Sequence, residues 1–163
     1  MHKIFKNTKK IHFIGIGGIG MSGMAELLHE NGFKISGSDI KESERTVHLK
    51  NIGLKVSNSH NKNNIKSANL IVYSAAIDSL NPEIIEAKKQ KIPIIKRAEL
   101  LGEMIKLKKT SIAVSGTHGK TTTASMIASI LIEAKLDPTI IIGGIVNKFD
   151  NNYISGNGDL IVV

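Results

Sequence analysis

The segment from Ile11 to Asp39, IHFIGIGGIGMSGMAELLHENGFKISGSD, decides how this chain folds. It opens with an apolar run, Ile11–Ile16, that passes directly into glycines and is too short for a helix, so it reads as a buried strand. Met21, Met24, Ala25 and Leu28 then recur at i, i+3, i+4 and i+7, which predicts a helix with one buried face. Gly32 supplies a residue to close that helix, and Phe33–Asp39 reads as a second strand. Between the first strand and the helix, Gly15, Gly17 and Gly20 fit the pattern G-x-G-x-x-G, with Gly18 also in the loop. Such glycines permit a tight turn and bring backbone N–H groups onto a diphosphate at the helix N-terminus. Asp39 follows Gly20 by 19 residues, at the end of the second strand, where an acid accepts hydrogen bonds from ribose hydroxyls. A glycine turn alone can reflect tight packing. With the strand, the helix and Asp39 around it, the reading is a nucleotide-diphosphate site. NAD and a UDP-sugar carry the same diphosphate and ribose, so both remain open on the residues alone.

Moving outward, strands and helices keep alternating. RTVHLKNIG reads as a helix ending near Gly53, LKVSN as a short strand and ANLIVY as a strong buried strand running into a loop at Ser74. NPEIIEAKKQK places Pro82 at a helix start, Glu83 in the first turn and lysines in the last, where each charge suits the helix dipole. IPIIK is a fifth strand and AELLGEMIKLKK a helix leading out. The expectation is an α/β fold, a Rossmann-like parallel sheet domain over residues 1–107.

The pattern restarts at SIAVS. There follows VSGTHGKTTT, Val114–Thr123, and then a helix in which Ile127, Ile130, Leu131 and Ala134 are expected to mark the buried face. The common P-loop, G-x-x-x-x-G-K-[ST], would put its first glycine at Val114. Here the first glycine is Gly116, and the loop contracts to G-x-x-G-K-T. The chemistry survives the contraction. Gly116 and Gly119 can turn amides inward, Lys120 can neutralise phosphate charge and the Thr121 hydroxyl can ligate Mg²⁺. Strands TIIIGGI and DLIVV complete the run; Gly143–Gly144 is read either as a turn or as a place of close ligand approach. Residues 108–163 are expected to be the truncated start of a P-loop ATP-binding α/β domain.

Composition excludes several classes. The formal charge is +8, yet the lysines are dispersed and aromatics make up 4% of the chain, which argues against a nucleic-acid partner. No apolar run approaches the roughly 20 residues of a membrane helix. The basic start MHKIFKNTKK lacks the apolar stretch of a secretory signal. Zero cysteines fits a cytoplasmic protein. The six histidines, His2, His12, His29, His48, His60 and His118, show no paired metal-ligand spacing. His12 reads as part of the first strand, His118 as part of the second loop, and Met21 and Met24 as packing residues.

The two glycine loops in this order, with GSD, YSAAI, NPEI and IPIIKRAELLGEM between them, resemble the Mur ligases, the ATP-dependent amide-forming enzymes of peptidoglycan precursor synthesis. The resemblance implies a first domain that binds the UDP part of UDP-N-acetylmuramate, through Gly15, Gly17, Gly18, Gly20, Asp39 and Ser74. It implies a second domain that binds ATP and Mg²⁺ through Gly116, Thr117, His118, Gly119, Lys120, Thr121 and Thr122. Lys120 would then act on the phosphates and Thr121 on the metal. The reaction implied is joining of L-alanine to the muramoyl carboxylate through an acyl phosphate. The family's acidic magnesium ligand, adenine-binding residues and third domain have no counterpart in these residues, so the expectation is a fragment inactive by itself. The rival readings are an NAD-dependent oxidoreductase and a non-catalytic nucleotide-binding module. Oligomeric state is not legible in the sequence.

Overall fold

The computed structural model of the chain describes Phe5, residues 8–146 and residues 151–163; His2 lies outside the described residues. A first sheet of five parallel strands is built from β1 (Lys10–Ile14), β2 (Lys34–Ser38), β3 (Lys55–Ser57), β4 (Leu70–Tyr73) and β5 (Ile94–Lys96), in the order β3-β2-β1-β4-β5. The intervening helices are α1 (Ile19–Glu30), α2 (Glu44–Asn51), α3 (Pro82–Lys89) and α4 (Arg97–Ile105). The α/β fold with a parallel sheet is therefore as expected. In β1, Ile11, Phe13 and Ile14 are fully buried and so is His12, with no alternation of inside and outside. That is the mark of a central parallel strand covered on both faces.

The order of strands creates the ligand edge. The chain winds outward from β1 through β2 to β3, then crosses back to place β4 on the other side of β1. Ile14 pairs with Ser38 on one side and with Tyr73 on the other. The loops after β1 and β4 therefore flank a crevice at the carboxyl ends of the strands, the usual ligand position in such sheets. The strand stops at Ile14, two residues before the apolar run ends, because Gly15 takes a left-handed φ of +79° and turns the chain.

A second sheet follows, in the order β6-β9-β7-β8, from β6 (Thr110–Ile112), β7 (Thr139–Val146), β8 (Asn151–Ile154) and β9 (Leu160–Val162). β6, β9 and β7 run parallel, whereas β8 returns antiparallel to β7. Gly143 and Gly144 lie within β7 and make no turn. α5 (Lys120–Glu133) covers this sheet through Ala124 and Ala128, with Ile127 and Leu131 partly buried beside them. The expected face was partly wrong: Ile130 is 68% exposed and Ala134 is exposed as well. The two buried alanines define the contact, and Ile130 lies about 200° round the helix from Ala128 at 100° per residue. Small residues there let the helix sit close to the sheet.

The two sheets share one core. Ile141, Tyr153 and Ile161 of the second sheet pack in the same apolar cluster as Phe13, Met24, Leu28 and Leu100 of the first. α1 is the element between them, packed against β2 on one side and against β7 and β8 on the other. Among the described residues no helix is long and apolar enough to cross a membrane.

Candidate functional site

The first glycine loop is held from below by β2. The Gly15 and Ile16 amides both donate to the Ser38 carbonyl, at 2.8 and 3.1 Å, and the Gly18 amide donates to the Gly15 carbonyl at 3.3 Å. The Gly17 amide donates to Asp39 Oδ2 at 2.9 Å, while the Lys41 amide donates to Asp39 Oδ1 at 3.0 Å. Asp39 thus clamps the loop, and each carboxylate oxygen keeps acceptor capacity for a further donor. A Cβ on Gly17 would stand 2.9 Å from Asp39 Oδ2 and 3.0 Å from Thr46 Cγ2, so only glycine fits that closure. Ile19 and Gly20 open α1, and their amides have no intrahelical acceptor, which leaves donors at the positive end of a helix. Ser74 stands across the crevice. Its amide donates to the Ile14 carbonyl at 3.1 Å, and its Cβ lies 3.2 Å from where a Gly15 Cβ would be.

One residue at this loop escaped the sequence reading. Arg97, the first residue of α4, lies so close to Gly20 that a Cβ there would be 3.0 Å from its Nη1. Arg97 is exposed, and no hydrogen bond or ion pair engages it among the described residues. A lone cation at the positive end of a helix is unfavourable unless an anion lies between them. Its signal in the sequence was positional: it follows directly on β5, at the sheet edge where ligands bind.

Beneath the loop sits a buried polar cluster that the sequence reading also missed. Glu83, assigned above to a helix dipole, is fully buried. Its carboxylate accepts from Ser38 Oγ at 2.6 Å, Asn64 Nδ2 at 2.5 Å and the Asn61 amide at 3.3 Å. His60 Nδ1 lies 3.3 Å from Glu83 Oε2 and 3.0 Å from Ser38 Oγ. His12 Nε2 stands 3.7 Å from Glu83 Oε1, beyond hydrogen-bond length, while its Nδ1 meets Ser36 Oγ at 2.9 Å. Burial alone would raise the Glu83 carboxyl. The polar groups of His12, Ser38 and Asn64 outweigh it and hold the carboxyl at about 2. Ser, His and Glu here have the composition of a nucleophilic triad, but Ser38 is fully buried and its hydroxyl is spent on the carboxylate. The cluster is a support.

The second loop opens at the carboxyl end of β6 and lies exposed from Ser115 to Thr123. Its first turn is pinned by the Val114 amide donating to the Val163 carbonyl at 2.8 Å, so the ends of β6 and β9 lie side by side. Gly119 caps α5 in the left-handed region, φ +75°, which aims the first amides of the helix at the loop. Lys120 Nζ folds back to donate to the carbonyls of Gly116 and Thr117, at 2.5 and 3.0 Å. Its ammonium therefore already occupies the loop interior. Thr121 faces β7: a Cβ on Gly144 would be 3.5 Å from Thr121 Cγ2 and 3.7 Å from its Oγ1. The absent side chain of Gly144 keeps space beside that hydroxyl. Thr117, His118 and Thr122 are exposed along the loop and the start of α5. Among the described residues no cluster of three His, Cys, Asp or Glu side chains forms a metal site.

A direct contact links the two halves. Asn152 of β8 donates from Nδ2 to the Ile19 carbonyl, the first of α1, at 2.6 Å, and Tyr153 Oη donates to Glu30 Oε1 at 2.8 Å. Burial first, then the Glu30 and Glu26 carboxylates, push the Tyr153 phenol above its ordinary value. The second sheet thus grips the helix that presents the first loop.

Residues 10–109 match the family model described as Mur ligase family, catalytic domain. The chain belongs to the Mur ligase family. It is 55% identical over 157 residues to a UDP-N-acetylmuramate–L-alanine ligase of Aquifex aeolicus, covering 96% of this chain and 34% of that protein. It is 53% identical over 155 residues to one of Clostridium botulinum, again covering 34% of it. Among solved structures, a UDP-N-acetylmuramate-alanine ligase of Thermotoga maritima superposes with a TM-score of 0.86 at 38% identity, over 94% of this chain and 36% of that one. The chain spans about a third of the length of the curated Mur ligases it matches.

Proposed function

We propose that this chain forms the nucleotide-sugar domain and the phosphate loop of a ligase that joins L-alanine to UDP-N-acetylmuramate at the expense of ATP. The observation that carries the reading is the pair of loops on one shared core, each at a helix N-terminus and each beside a cation, Arg97 at the first and Lys120 at the second. An NAD-dependent oxidoreductase has no use for the second loop. The domain boundary is proposed at 107/108, between the two sheets, and the setting as cytoplasmic.

In this reading the diphosphate of UDP-N-acetylmuramate lies over Gly15, Gly17, Gly18 and Gly20, against the free amides of Ile19 and Gly20, with Arg97 closing on it. Asp39 holds the loop and faces the nucleoside; Ser74 lines the opposite wall. The γ-phosphoryl of ATP passes to the muramoyl carboxylate with release of ADP, and the amine of L-alanine then attacks the acyl carbon, forming the amide and expelling inorganic phosphate as the amine loses a proton. The residues present fit that role. Lys120 neutralises phosphate charge where its ammonium now meets carbonyls. The amides of the Gly116–Thr122 loop donate to phosphate oxygens, and the Thr121 hydroxyl supplies one oxygen ligand to a hard cation that also accepts phosphates and water. A ¹⁵N-labelled chain titrated with UDP-N-acetylmuramate should show its largest amide shifts at Gly18, Ile19 and Gly20. Shifts confined to other regions would refute the placement.

A further inference from the structure

The buried cluster under the first loop has no role in the chemistry just described, yet one line of contact runs from it, through Ser38, to that loop. Glu83 is fully buried and fixes the Ser38 hydroxyl at 2.6 Å; the carbonyl of the same Ser38 takes the Gly15 and Ile16 amides; the next residue, Asp39, takes the Gly17 amide. Three consecutive amides of the loop therefore hang from two consecutive residues, Ser38 at the end of β2 and Asp39 just after it, and Ser38 is clamped from behind by a carboxylate on α3. The remaining oxygen of Glu83 is held by Asn64 and the Asn61 amide, so the carboxylate has no freedom to follow the loop if it moves. Three short stretches that the sequence presents separately, HFIGIG, GSD and NPEI, meet at this point.

We infer that Glu83 is a positioning residue for the diphosphate site: acting through Ser38, it sets the conformation of the Gly15–Gly17 turn and so the aim of the loop amides. This rests on the reading of that loop as a diphosphate site. Its chemistry calls for a carboxylate. Glu83 must accept on both oxygens at once, from Ser38 on one and from Asn64 and Asn61 on the other. A glutamine can accept on only one side and brings a second donor to the other. Glu83→Gln is thus nearly isosteric but breaks one side of the clamp.

Three proteins decide the matter: Glu83→Gln, Ser38→Ala and the double variant, each first shown by its melting curve to be folded. The expected results are faster amide exchange at Gly15 and Ile16 in each variant. UDP affinity should fall about tenfold, the size of one hydrogen bond, while uridine, which lacks the diphosphate, binds as to the unaltered chain. The double variant should lose no more than the worse single one, because both act on a single link. Equal losses for UDP and uridine, or additive losses in the double variant, would overturn the proposal and leave Glu83 as a general structural group. Unchanged exchange at Gly15 and Ile16 would overturn it independently of any ligand. If the unaltered chain binds no UDP while exchange responds as expected, the reading of the site fails and the positioning role stands.

Discussion

Replacing Gly23 with alanine sets two effects of known sign against each other. Gly23 lies within α1, where alanine is the better helix former by about 0.8–1.0 kcal/mol. Local propensity alone predicts a more stable protein. The structure predicts the reverse. A Cβ on Gly23 would stand 2.6 Å from Asn152 Nδ2 and 2.7 Å from its Oδ1, distances that force the Asn152 side chain to move. Asn152 is 6% exposed and donates at 2.6 Å to the Ile19 carbonyl. Displacing it leaves a buried amide and a carbonyl without each other, at a cost of about 1–3 kcal/mol. Overpacking adds about 1–3 kcal/mol. After subtracting the helix gain, Gly23→Ala should destabilise by about 3 kcal/mol, which lowers Tm by about 6–12 °C in a chain of this size. The assay is urea unfolding followed by circular dichroism, with Asn152→Ala as the second axis of a cycle. In the Asn152→Ala background the clash is gone, so Gly23→Ala should become stabilising by nearly 1 kcal/mol. A stabilising effect in the unaltered chain, or the same effect in both backgrounds, would refute the reasoning.

Other consequences follow from single side chains. Glu83 is held at about 2 when folded against an ordinary 4.5, so its contribution, on the order of 3 kcal/mol, is complete above about pH 4.5 and fades as pH falls toward 2. Acid titration of unfolding free energy should therefore show the gap between the unaltered chain and Glu83→Gln narrowing over that interval. Lys120→Ala should weaken Mg-ATP binding about 10- to 100-fold, the range for a charge-assisted contact, with no change in melting temperature, since the side chain is exposed. Arg97→Ala should lower UDP-N-acetylmuramate affinity about tenfold and flatten its salt dependence, measured by titration at two ionic strengths.

How far the sequence revealed these features depended on the kind of signal each carries. The β1–α1–β2 unit was legible because its apolar periodicity and its glycines point the same way. β8 was not, because Asn151–Ile154 is polar and does not alternate; Asn152 and Tyr153 are ordered by partners on α1 that lie more than a hundred residues away in sequence. The buried face of α5 was misplaced because large apolar residues were given more weight than Ala124 and Ala128. Both glycine loops were legible as strand–loop–helix turns because their glycines lie together in sequence. Arg97 and Glu83 could not be read in the same way. An arginine after a strand and an acid in the first turn of a helix each have a bland local explanation, and only the strand order shows what they face.

On this reading the first loop takes a UDP-sugar. Calorimetric titration of this chain with UDP-N-acetylmuramate, NAD and Mg-ATP, each separately, tests it most directly. Saturable binding of UDP-N-acetylmuramate and none of NAD is expected. NAD binding without UDP-N-acetylmuramate binding would contradict it and make the Gly15–Gly20 loop an ordinary dinucleotide site.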